Sequence, residues 1–172
     1  EGDRMRTRLI VGNWKMNLVL REAVNLVKSI HAGVRGLNGV EVVICPPFTA
    51  LAAANTALEH SNMGLCAQNM HSEPEGAFTG EISPLMLKDL GCRFVILGHS
   101  ERRAIFGEKD ALINKKALTA LKYNLIPIVC VGETLEEREA GETERVIHRQ
   151  FEGTFKDFTV NDWKRTVIAY EP

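Results

Sequence analysis

The sequence predicts an α/β protein built on a parallel sheet, and three observations carry that prediction. Short, wholly apolar runs rich in Val, Ile and Leu recur about six times, as strands covered on both faces require. Between them lie segments with apolar residues at helical spacing, each strand–helix unit taking roughly 30 residues. Most of the runs break off into polar or charged residues: Asn13 and Lys15, Gln68 and Asn69, His99, Glu133, Glu171. Right-handed crossovers between parallel strands bring such ends to one edge. No Gly-x-Gly-x-x-Gly follows the first run, which argues against a dinucleotide-binding sheet. A parallel barrel with one site at its carboxyl rim accounts for polar strand ends.

The first strand runs from Arg8 through Gly12 into Asn13-Trp14-Lys15. Extended residues alternate sides, so Asn13 and Lys15 share a face and Trp14 takes the other. Asn17 is placed to cap a helix to about His31, with Leu20, Val24, Val27 and Ile30 as its apolar stripe. Val40–Cys45 is the second strand, closed by Pro46-Pro47, and an alanine-rich helix follows to about His60. Met63–Ala67 is a short third strand. The long segment from Met70 to Ile82 reads as a functional loop, with Phe78 and Thr79 at its tip. Ser83-Pro84 then opens a helix as cap and first residue.

Phe94–Leu97 is the fourth strand, with Gly98 supplying a sharp turn and Ser100 placed to cap a helix. Ile113, Ala117, Ala120 and Leu121 repeat at helical spacing, ending near Tyr123-Asn124. Leu125–Val131 is the fifth strand. Thr134 and Glu137 form a capping box, and Thr143 can cap a segment reaching about Phe151. Thr166–Tyr170 is the sixth strand, followed by Glu171-Pro172.

A chain of 172 residues, 45% hydrophobic and 25% charged, has the composition of a soluble domain with one core. Its net charge of −1 points to neither nucleic acid nor an anionic membrane as partner. No apolar stretch approaches a membrane span. Cys45, Cys66, Cys92 and Cys130 are far apart and lack metal-ligand spacing, so they read as buried free thiols, which suits the cytoplasm.

Three strand-end residues together have a chemistry. Glu171 follows an apolar strand, and a carboxylate in a dry pocket is a stronger base than one in water. His99, at the start of a helix, is favoured as a neutral hydrogen-bond donor. Lys15 adds a positive charge. A base, an electrophile and a cation are what proton abstraction next to a carbonyl needs. Taken singly, His99 also fits a solvated turn, and Lys15 a surface lysine with its stem laid along apolar neighbours.

Val11-Gly12-Asn13-Trp14-Lys15-Met16-Asn17, Gly98-His99-Ser100-Glu101-Arg102-Arg103 and Ala169-Tyr170-Glu171-Pro172 closely resemble the three signature segments of the triosephosphate isomerase family. Ala77–Ser83 and Cys130–Arg138 resemble it as well, in the same order along the chain. The resemblance implies an α/β fold, a (β/α)8 TIM barrel, with about the first six βα strands present here. It implies interconversion of dihydroxyacetone phosphate and glyceraldehyde 3-phosphate through an enediolate, in glycolysis and gluconeogenesis, with no cofactor. The roles are the family's established ones, carried over by motif. Glu171 is the base, His99 polarises the carbonyl, and Lys15 with Asn13 binds substrate. Glu101 orients the lysine or the histidine, Ser100 supports them, and Cys130 packs behind the base. The Phe78–Thr79 loop implies a homodimer. His31, His60, His71 and His148 match no role and are expected at the surface.

Residues 1–7 read as an N-terminal extension and 8–172 as a single, incomplete barrel domain. A full barrel typically has about 250 residues, and the family's lid and phosphate loops lie beyond the sixth strand. The expectation is therefore a piece of a longer enzyme. Two other readings are open: an inactive truncated barrel acting as scaffold or folding partner, and another phosphate-binding barrel enzyme.

Overall fold

The computed structural model describes residues 7–172. Its strands are β1 (Arg8–Asn13), β2 (Val40–Cys45), β3 (Gly64–Ala67), β4 (Phe94–Leu97), β5 (Ile126–Val131) and β6 (Val167–Tyr170). All five ladders are parallel and the strands lie in chain order, β1-β2-β3-β4-β5-β6. The sheet curls into part of a (β/α)8 barrel. Of the expected N-terminal extension, all but Thr7 lies outside the described residues.

Strand side chains alternate between two apolar layers, which is why the runs are apolar throughout. Val43, Cys45, Cys66, Phe94, Ile96, Ile128 and Cys130 fill the concave interior. Ile44, Leu65, Ala67, Val95, Leu97, Val129 and Val131 point outward into the core under the helices. Leu9 and Val11 of β1, with Val167 and Ala169 of β6, continue the interior layer. The intervening residues on these end strands, Ile10, Ile168 and Tyr170, are exposed, Ile10 by 61%.

The helices are α1 (Leu20–Val34), α2 (Leu51–Ala57, entered through a 3-10 turn at Phe48–Ala50), α3 (Pro84–Asp89) and α4 (Ser100–Ala104). Then come α5 (Asp110–Lys122), α6 (Leu135–Glu139), α7 (Thr143–Thr154) and α8 (Val160–Lys164). Helix α1 starts later than Asn17 predicts. Lys15 and Leu18 take left-handed backbone, φ +54° and +72°, so Asn17 turns back to donate to Trp14 O at 2.7 Å. Ser83 caps α3 through Met86 N–H, and the Thr134–Glu137 box opens α6. Thr143 does not cap α7; it lies within the helix and its hydroxyl meets Glu133 at 3.2 Å. No described helix is long and apolar enough to cross a membrane.

Candidate active site

The polar residues at the strand ends separate into those that meet at the rim and those used to build it. At the end of β1, Asn13 Oδ1 accepts the Lys15 N–H at 3.0 Å, and Gln68 donates to the Lys15 carbonyl at 2.8 Å and to Cys45 O at 2.9 Å. Those contacts hold Lys15 in its left-handed turn, from which Nζ reaches Glu101 Oε1 at 2.8 Å. Trp14 points the other way, into the core under the helices, as alternation predicts.

His99 is the residue before α4 and is its cap. Its Nδ1 accepts the Glu101 N–H at 3.2 Å, so the expected cap, Ser100, is instead the first helical residue. A ring nitrogen that accepts a backbone N–H carries no proton, which places the imidazole proton on Nε2. Nε2 lies 2.9 Å from Glu171 Oε1. The 3.5 Å approach of Glu101 Oε2 to Nδ1 is then a contact between two acceptors. His99 is mostly buried, its side chain 12% exposed.

Glu171 leaves β6 with its N–H on Val131 O at 2.9 Å. Its second oxygen accepts the Ser100 N–H at 2.9 Å, with the Ser100 hydroxyl at 3.4 Å from the first. Lys15, Glu101, His99, Glu171 and Ser100 thus form one continuous chain of contacts, drawn from β1, β4 and β6. The Glu101 hydrogen bond and charge raise the Lys15 ammonium above its ordinary value, and Lys15 in turn holds the Glu101 carboxyl low. Burial pushes the Cys130 thiol far up, with the charge of Glu171 adding to it. A thiol held protonated packs and does not attack.

Asn69 and Glu133 stand at strand ends but outside this chain. Asn69 accepts from buried Lys116 at 3.0 Å. Glu133 accepts from Tyr170 OH with both oxygens, at 2.8 and 2.9 Å, and from the Thr143 hydroxyl at 3.2 Å. Arg103, present in the sequence only as part of a motif, joins β4 to β5 by donating to Gly98 O at 2.9 Å and Cys130 O at 3.2 Å. At the far loop, Phe78 is exposed and its ring lies 4.2 Å from that of His71, with Thr79 exposed beside it. His71 is therefore half-buried and not a free surface histidine.

The family model for triosephosphate isomerase matches residues 8–172. The chain belongs to the triosephosphate isomerase family. Triosephosphate isomerase of Alkaliphilus oremlandii is 53% identical over 168 residues, covering 98% of this chain and 67% of that protein. That of Endomicrobium trichonymphae is 51% identical with the same coverage. The crystal structure of triosephosphate isomerase from Bartonella henselae superposes with a TM-score of 0.89 at 41% identity, over 97% of this chain and 68% of that one. The chain thus spans about two thirds of the length of these relatives, all of them isomerases by name.

Proposed function

We propose that this chain carries the proton-transfer residues of a triosephosphate isomerase, acting on dihydroxyacetone phosphate and glyceraldehyde 3-phosphate. The observation that carries the reading is the contact chain at the rim, with a carboxylate and an Nε2–H donor 2.9 Å apart. Glu171 takes a proton from the carbon beside the carbonyl and returns it to the neighbouring carbon. His99 Nε2–H donates to the carbonyl oxygen as negative charge grows there. Lys15 offsets that charge, and Asn13 lies beside it to meet substrate oxygens.

In the arrangement seen here Glu171 lies on His99 and Ser100. Substrate therefore enters by displacing the carboxylate from Nε2, which frees the donor for the carbonyl and the base for carbon. Glu101 keeps Lys15 extended and, through its N–H, keeps Nδ1 unprotonated. A coupled assay of glyceraldehyde 3-phosphate isomerisation tests the proposal. Glu171→Gln is expected to lower kcat by about 10²–10⁴-fold with unchanged circular dichroism. Near-normal turnover in that variant would remove Glu171 from the role of base.

The exposed Phe78–Thr79 tip supports a homodimer, and membership of the family supports a role in glycolysis and gluconeogenesis and a cytoplasmic location. Sedimentation should give twice 19.1 kDa, and Phe78→Glu should return the monomer mass.

A further inference from the structure

We infer that Gln150, on α7, is a positioning residue for Glu171 that acts through the backbone of Gly132; the inference rests on the reading of Glu171 as the base. Gly132 directly follows β5, and one side chain grips both of its backbone groups. Its N–H donates to Gln150 Oε1 and its carbonyl accepts from Gln150 Nε2, each at 2.8 Å. Gln150 is 6% exposed, so water does not compete for either bond. A flat amide that meets both polar groups of one residue fixes its tilt as well as its place.

The opposite side of Gly132 lies against the end of β6. A Cβ there would stand 1.8 Å from the Glu171 carbonyl oxygen and 2.8 Å from the carbonyl carbon. Close approach, not an unusual backbone angle, is what glycine supplies at this position. The Glu171 peptide is thus seated on two consecutive residues at the end of the neighbouring strand β5, with its N–H on Val131 O at 2.9 Å and its carbonyl over Gly132. The Glu171 side chain starts from that seat and meets His99 Nε2 and the Ser100 N–H, both at 2.9 Å. Any shift of Gly132 carries the carboxylate with it. Gln150 prevents that shift from the helix side of the sheet, and both of its side-chain hydrogen bonds go to Gly132, not to Glu171.

Two variants test the inference. Gln150→Met keeps length and burial but makes neither bond. Gln150→Glu keeps the acceptor for the Gly132 N–H. With cooperative thermal unfolding retained, Gln150→Met is expected to lower kcat by about 10- to 100-fold while KM stays within about twofold. Gln150→Glu is expected to lose less. The Ser100 amide, which donates to the Glu171 carboxylate at 2.9 Å, is expected to shift its NMR signal in Glu171→Gln, and Gln150→Met should reproduce most of that response. An unchanged kcat together with an unshifted Ser100 signal in Gln150→Met would overturn the inference. Should Glu171→Gln keep its turnover, the base reading fails, and the Ser100 response alone then decides the place of Gln150.

Discussion

Lys15 shows at the scale of one residue how the site was half visible beforehand. Strand alternation put Asn13 and Lys15 on one face, and that much follows from the order of residues. The left-handed turn at φ +54° does not, because no glycine marks it. Such a backbone costs a lysine about 1–3 kcal/mol and persists only where neighbours hold it. Here the neighbours are Asn13 and Gln68, the latter 53 residues away along the chain. Gln68→Leu should therefore lower stability by about 1–3 kcal/mol in urea unfolding, since it removes the side-chain bond on the Lys15 carbonyl and one of two bonds on the Cys45 carbonyl, which keeps the Trp14 N–H. The lysine's partner gives a second check. Lys15 holds the Glu101 carboxyl below 4.5, so in Lys15→Met that carboxyl should titrate at a higher pH by NMR. Both side chains are about half exposed, and the effect belongs to titration, not to stability.

Elements with a local chemical signal matched their prediction, and those decided by distant partners moved. Ser83-Pro84 announced α3, and Ser83 accepts the Met86 N–H at 3.2 Å. Ser83→Ala should cost about 1 kcal/mol of stability by the same unfolding measurement. The Thr134–Glu137 box was equally legible. Ser100 and Thr143 carry capping chemistry too, but neither caps its helix. His99 takes the cap of α4 through Nδ1, and Thr143 is drawn to buried Glu133. Helix α8 has no counterpart among the predicted elements, although, like five-residue α6, it is opened by a capping box, Thr159 with Asp162. The six strands were read to within about two residues, since an apolar run bounded by polar residues needs no tertiary information.

Across the whole molecule, a buried polar junction ties the rim to the helices, and no pattern in the sequence announced it. Lys116 Nζ lies 2.7 Å from Glu108 Oε1 and 3.0 Å from Asn69 Oδ1, and Arg102 Nε meets the same Glu108 oxygen at 2.6 Å. Burial pushes the Glu108 carboxyl up, but Lys116 and Arg102 together bring it below 4.5. A carboxyl lowered on folding adds stability that is complete above 4.5 and is lost as the pH falls through its folded value. Glu108→Leu, which leaves Lys116 buried without its anion, should cost about 3–5 kcal/mol at pH 7 and flatten the acid side of the stability profile. At the rim, Lys15, His99 and Glu171 come from the ends of three strands into one chain of contacts, and the proposed proton transfer rests on them. Its most direct test is isomerisation of dihydroxyacetone phosphate in deuterated water. Deuterium should enter at the reacting carbon with the unaltered chain and not with Glu171→Gln. Product formed with no deuterium at that carbon, or equal uptake in both, would contradict the account.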